Sequence, residues 1–163
     1  MGSTTRTIAT FKVNFLQYLN ENSEATQEFP AFAKDSDHLL DLYRRMSFVR
    51  ALDNKAVNLQ RTGQMGTYPS SQGQEAVGIG MGTAMQPEDV FVPYYRDQAC
   101  MIARGVKPSE VLAYWGGDER GSNFANVKDD FPVCVPIATQ CLHAAGIAHA
   151  IKYRQEKRAV MTI

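Results

Sequence analysis

The sequence carries no excess of charge of either sign: 17 basic and 17 acidic side chains give a formal net charge of zero. Nucleic-acid binders draw much of their affinity from a clustered cationic surface, so no nucleic-acid partner is expected. No apolar run approaches the roughly 20 residues that span a bilayer. Met1 to Thr10 contain no apolar core of a secretory signal, so neither a membrane nor export is expected. Cysteine is scarce. Cys100, Cys134 and Cys141 are odd in number and lack metal-type spacing, which reads as reduced thiols of a cytoplasmic protein, not a disulfide framework or a zinc site. Internal repeats and low-complexity tracts are absent. Gly78-x-Gly-x-Gly82 is no dinucleotide fingerprint, because it lies inside a helical stretch with the wrong spacing. Ser71, Ser109 and Ser122 lack the strand–turn–helix setting of a nucleophile elbow. His143 and His149 are six apart and cannot face one metal as an i, i+4 pair would. His38 stands alone.

What is present is an ordinary core for one domain: 163 residues, 44% of them hydrophobic. Phe11, Val13 and Phe15 alternate with polar residues and predict a short half-buried strand. Residues 20–36 read as a loop or arm. Asp35 or Ser36 can cap a helix whose apolar stripe is Leu42, Met46, Val49, Leu52, Ala56 and Leu59. Gly63 is its natural stop. Ser71 and Gln74 have capping-box spacing for a second helix, ended by Pro87. Its glycines 78, 80 and 82 each cost about 1 kcal/mol relative to Ala and make sense where another backbone comes close. Val90 to Val92 predict a buried strand that Pro93 stops. Residues 97–104 and 108–115 read as short helices, with Pro108 at a first turn. Residues 116–135 form a long loop. Thr139 to Glu156 predict a small-residue helix able to pack tightly. Ala159 to Ile163 read as the start of a central parallel strand. Such a strand is a poor place for a chain to stop, so we expect this to be a piece of a longer protein.

Three places attract attention. Glu75 sits at a first helical turn, where a helix dipole favours it, and this reading outweighs a general base. Tyr94-Tyr95-Arg96 follows a strand, where ligands of open α/β sheets collect. Arg96 suits phosphate oxygens, and equally a structural pair with Asp97. Pro136 to Gln140 sits where a loop becomes a helix. Its free amides suit an anion or the edge of a heterocycle, and Thr139 can equally be a plain cap.

Taken together, Leu42-Tyr-Arg-Arg-Met46, Gln60-Arg-Thr-Gly-Gln64, Gly73-Gln-Glu-Ala76, Pro93-Tyr-Tyr-Arg-Asp97 and Pro136-Ile-Ala-Thr-Gln140, with His143-Ala-Ala-Gly-Ile147 after it, resemble one family. It is the alpha subunit of the first component of thiamine-diphosphate-dependent 2-oxo acid dehydrogenase complexes, most like the bacterial heterotetrameric pyruvate dehydrogenases. The resemblance runs from about residue 37 to 163 and is loose before that. It implies an α/β thiamine-diphosphate-binding fold, a parallel sheet flanked by helices and incomplete in this chain. Residues 1–36 would be an extended N-terminal arm, and residues 37–163 the N-terminal part of the coenzyme-binding domain.

The implied activity is decarboxylation of pyruvate and reductive acetylation of a lipoyl group. Branched-chain 2-oxo acid and acetoin dehydrogenases stay open as alternatives, as does a non-catalytic assembly module. The implied partners are a beta subunit, in an α2β2 heterotetramer with the coenzyme between the chains, and the lipoyl domain of the acyltransferase component. Tyr95 and Arg96 would reach the diphosphate, Tyr68 would lie near it, and Val135 and Ile137 would offer main-chain contacts to the aminopyrimidine. In some members a potassium ion steadies this loop, at the positions of Cys134, Pro136, Thr139 and Gln140; Cys134 stands where some relatives have serine. Magnesium ligands, and the histidines of acyl transfer, are expected beyond Ile163. The proton-transferring glutamate would come from the beta chain, so no catalytic residue is assigned here.

Overall fold

The computed structural model describes residues 5–163, which divide between Leu39 and Leu40 into two compact units. In the first unit, residues 7–17 form no regular structure. The strand expected at Phe11 to Phe15 is not there: Phe11, Val13 and Phe15 are all exposed. Alternation gives a segment two different faces, but a strand also needs backbone hydrogen bonds to a neighbour, and residues 11–15 make none among the described residues. The arm is not wholly irregular. Leu19 and Ala25 form an antiparallel bridge, closed by the Asn20 carboxamide, which accepts from the Asn22 and Glu24 amides at 3.0 and 2.9 Å. A 3-10 turn spans Ala31–Lys34.

Helix α1 (Ser36–Arg61) starts where expected. The Asp35 carboxylate accepts from the Asp37 and His38 amides, both at 3.1 Å, a cap worth about 1 kcal/mol. Val49 and Ala56 of the predicted stripe are buried, and Leu42, Met46, Leu52 and Leu59 half-buried. Gly63 takes φ +72° and turns the chain away.

The second helix, α2 (Glu75–Ala84), begins later than the Ser71–Gln74 spacing predicts. Ser71 is no cap here, because the carboxylate of Asp53 takes both its amide, at 2.8 Å, and its hydroxyl, at 3.4 Å. Gly73 then adopts φ +93°, and its amide is collected by the Glu75 carboxylate. Of the three glycines, two serve close packing. A Cβ on Gly78 would stand 2.5 Å from the Ala99 Cβ, and one on Gly82 2.6 Å from the Ala103 Cβ. Both neighbours belong to α3 (Gln98–Arg104), which lies directly on this face. Gly80 faces open space.

Strand β1 (Val90–Phe91) pairs in parallel with β2 (Val160–Met161) in the register Val90↔Val160, Phe91↔Met161. The side chains of β1 and the residue after it alternate between two covers. Val90 and Val92 pack with Ala144, Ile147 and Ile151 of α5 (Thr139–Arg154). Phe91 packs with Cys100 and Met101 of α3, and with Val111 and Trp115 of α4 (Pro108–Trp115). Apolar cover on both faces is what a parallel pair requires. The long loop after α4 is packed, not loose: the Glu110 carboxylate accepts from Ala125, and Gly121 fits against the backbone of Glu110 and Tyr114 where no Cβ would. The small residues of α5 pack less tightly than expected, since only Ala144 is buried among them and Gly146 meets nothing within 4 Å.

The two kinds of glycine in α2 predict opposite outcomes. Gly78→Ala forces α2 off α3 and lowers unfolding stability by about 1–3 kcal/mol, whereas Gly80→Ala raises it by about 0.5–1 kcal/mol. Denaturant unfolding of the two variants beside the parent checks this order.

Candidate functional site

The two strands point their carboxyl ends at one cleft. Beyond β1 come Pro93 and Tyr94 to Asp97; beyond β2 come Thr162 and Ile163. Gln74, Val77, Gly78, Tyr94, Arg96, Asp97, Ala99 and Ile163 line a cleft of about 210 Å³ there. The position is the one where open parallel sheets bind ligands.

Three segments meet at its rim. The first is residues 94–98, which leave β1 and enter α3. The second is the turn at 68–70: the Arg96 guanidinium donates from Nη1 to the Ser70 carbonyl, and the Gln98 carboxamide donates to the Pro69 carbonyl at 3.0 Å. The third is the loop before α5, bridged in parallel to the strand end through Tyr94↔Cys134. Sequence reasoning named a residue in each segment and had no means of showing them adjacent.

Arg96 is half-buried and forms no ion pair with a carboxylate among the described residues; the pairing with Asp97 weighed from the sequence does not occur. Its guanidinium lies 5.4 Å from the centre of the Tyr95 ring, a cation–π contact. Tyr94, not Tyr95, lines the cleft with Arg96, and its hydroxyl stands 3.4 Å from the Gln74 Oε1. The Tyr95 ring packs 4.8 Å from that of Tyr94, and it faces the recess of Val111, Trp115 and Phe124. Tyr68 packs edge-on to Trp115, at 6.4 Å between ring centres. Burial first, and then the negative charge of Asp53, raise its phenol above the usual tyrosine range. Val135 and Ile137 are exposed. Ala138 precedes α5 with φ +67°, so Thr139 is the first helical residue and not its cap. Thr139 donates its amide to the Pro136 carbonyl at 3.2 Å. Gln140 is buried; its Nε2 donates to the Ile163 carbonyl at 2.9 Å, while its Oε1 has no partner among the described residues.

Two carboxyl groups behave oppositely. Glu75 is held by Arg50 at 2.5 Å, which pulls its pKa down to about 2 against the cost of burial. It is an ionised structural partner of Arg50, a pairing that the helix-end reading did not foresee. Asp97 precedes α3 but turns back to accept the Tyr94 amide at 2.9 Å. Burial outweighs that bond and the helix dipole and pushes its pKa up to about 7. Among the described residues no cluster of three or more His, Cys, Asp or Glu is placed to hold a metal, and no helix is long and apolar enough to cross a membrane.

Sequence reasoning missed Asp53, Gln98 and the buried pair of Arg104 and Asp130. Arg104 donates to Asp130 at 2.6 and 2.8 Å and to the Asp89 carbonyl at 2.6 Å. The other Asp130 bond goes to the Phe91 amide at 2.9 Å. No local signal marks these residues, because the partners that tie them across the fold lie 15 or more residues away along the chain.

A pair of parallel strands, covered on both faces and opening at its carboxyl edge onto a cleft lined by Arg96 and Asp97, defines part of an α/β domain. Residues 43–163 match the family described as dehydrogenase E1 component, and the chain belongs to that family. Similar proteins include the pyruvate dehydrogenase E1 component subunit alpha of Mycoplasma genitalium, 33% identical over 127 residues, which are 78% of this chain and 36% of that protein. The Bacillus subtilis subunit of the same name is 32% identical over 146 residues, 90% of this chain and 39% of its own length. The 3-methyl-2-oxobutanoate dehydrogenase subunit alpha of Mycobacterium tuberculosis is 37% identical over 115 residues, 71% of this chain and 31% of its own length. The chain thus spans roughly a third of the length of these relatives.

The raised Asp97 pKa has a signed consequence for stability. The folded state holds this proton up to about pH 7, whereas an ordinary aspartate loses it near 3.8. Its contribution is therefore complete below the unfolded pKa and is lost as pH rises through the folded one. Glu75 acts oppositely, and its contribution is lost only as pH falls toward 2. Asp97→Asn is expected to flatten the decline in unfolding free energy between about pH 4 and 7. Urea unfolding across that range checks it, and an unchanged slope contradicts it.

Proposed function

We propose that the chain is the N-terminal part of the alpha subunit of a pyruvate dehydrogenase first component, that it binds thiamine diphosphate, and that it works in the cytoplasm. Residues 37–163 are the first stretch of its coenzyme-binding domain and residues 1–36 an arm before it. The observation that carries this reading is Arg96: a guanidinium lining the cleft at the carboxyl edge of the sheet, with no acidic partner among the described residues. A cation so placed fits a diphosphate, whose oxygens accept paired N–H donors.

When bound, the coenzyme supplies the electron sink on which a 2-oxo acid loses carbon dioxide. The residues of this chain bind and orient. Arg96 holds the phosphate end, with Tyr95 stacked beneath its guanidinium. Tyr68 stands behind the 68–70 turn. The exposed backbone at Val135 and Ile137 offers amides and carbonyls to the heterocycle. Glu75 is committed to Arg50 and moves no proton. No group of this chain is assigned a proton transfer; that step falls to a beta subunit in an α2β2 assembly, which passes the acyl group to a lipoyl domain.

The described residues do not gather the acidic oxygens that magnesium prefers, so no step is assigned to magnesium from this chain. For potassium, the loop of Cys134, Pro136, Thr139 and Gln140 is proposed, on the ground that the buried Gln140 Oε1 is an oxygen without a partner among the described residues.

Pyruvate is the proposed substrate because the Mycoplasma and Bacillus relatives carry that name; the Mycobacterium relative supports a branched-chain 2-oxo acid as second reading. A higher kcat/KM on pyruvate than on 2-oxoisovalerate, measured on the complete enzyme, supports the first, and the reverse order the second. Arg96→Ala is expected to weaken thiamine diphosphate binding by about 2 kcal/mol, near 30-fold. Calorimetric titration with magnesium present reads this, and an unchanged Kd removes Arg96 from the site.

A further inference from the structure

We propose that Gln98 is a positioning residue for Arg96, acting through the 69–70 turn. The inference rests on the coenzyme reading of the cleft given above. Gln98 is the first residue of α3 and is only 2% exposed. Its Nε2 donates twice, to the Pro69 carbonyl at 3.0 Å and to the Tyr95 carbonyl at 3.1 Å. Its Oε1 accepts from no described protein group. Leucine or methionine would fill the same volume without burying an amide. What glutamine adds is the pair of donors, and both reach segments that carry the site.

The geometry is a short ladder. Arg96 and Gln98 cross the same gap to adjacent carbonyls, those of Ser70 and Pro69. From the other side, Asp53 of α1 accepts the Ser70 hydroxyl at 2.6 Å and the Ser71 amide at 2.8 Å. The turn is thus held between two helices, and its Ser70 carbonyl becomes a fixed acceptor for Arg96. With Nη1 anchored there and the Tyr95 ring beneath, the guanidinium is ordered before any anion arrives. Its Nε and Nη2 donate to no acceptor among the described residues. Ordering a long side chain in advance is worth roughly two- to tenfold in affinity. Gln98 also ties the carbonyl of Tyr95 to the same turn, so the ring beneath the guanidinium and the acceptor at its tip move as one piece.

The test is a double-mutant cycle on the complete enzyme, titrating thiamine diphosphate with magnesium by calorimetry and recording the melting temperature of the coenzyme-free protein for each variant. Gln98→Met is expected to raise Kd about fivefold. In an Arg96→Ala background it should raise Kd no further, because the group it positions is gone. A purely structural role would give the same loss in both backgrounds. Gln98→Glu keeps the volume and removes both donors when ionised. Its Kd, taken as a ratio to the parent at each pH, should fall toward one as acid restores a single donor. Should Gln98→Met fail to fold, this profile decides the question. Equal losses in the two backgrounds, an unchanged Kd, or a flat Gln98→Glu ratio overturns the positioning role while leaving the coenzyme reading intact. A parent enzyme that does not bind thiamine diphosphate overturns that reading and this inference with it.

Discussion

A guanidinium buried between α3 and the long loop sets the alignment on which the cleft depends. The side chains of Arg104 and Asp130 are 4% and 2% exposed, and each remaining polar atom is used: Arg104 reaches the carbonyls of Asp89 and Gln86, and Asp130 accepts the Phe91 amide. The Phe131 amide then bonds the Phe91 carbonyl at 2.9 Å, so the chain from 130 onward runs beside β1 as far as Tyr94↔Cys134. On the opposite edge the Val90 and Val92 amides bond the carbonyls of Ala159, just before β2, and Met161, at 2.9 Å each. A buried pair of this kind contributes little net stability, but removing one partner strands a charge and costs about 3–5 kcal/mol. Its structural effect is registration. It acts with the Phe131–Phe91 bond and the Tyr94↔Cys134 bridge to set the loop carrying Val135 against the segment that leads to Arg96.

Local features were legible in the sequence. The α1 stripe repeats every three or four residues, Asp35 caps within three residues of itself, Gly63 supplies a positive φ, and Pro108 fixes a first turn. Each is decided by near neighbours, so the sequence carries enough to place it. The α2 glycines were legible as a packing signal because an in-helix glycine is unfavourable without a close neighbour. Only contact with α3 separates Gly78 and Gly82 from Gly80.

What was not legible depends on partners distant in sequence. Phe11 to Phe15 alternate as a strand does, but pairing is not encoded in alternation. Ser71 has the spacing of a cap, and Asp53, from the middle of α1, captures it first. The same distance hid Arg104–Asp130. The Tyr-Arg motif pointed to a turn that lines the cleft, while the choice between Tyr94 and Tyr95 as the cleft-lining ring depended on how that turn packs. Gln98 had no signal beyond its place two residues after Arg96, and its importance lies in what it touches.

The proposed coenzyme site requires residues 68–70, 94–98 and 133–140 to act as a single face. Hydrogen–deuterium exchange of the complete enzyme, with and without thiamine diphosphate and magnesium, tests it most directly. Slowed exchange in all three segments together is the predicted result. Slowing confined to other parts of the chain, with these three unchanged, would contradict it.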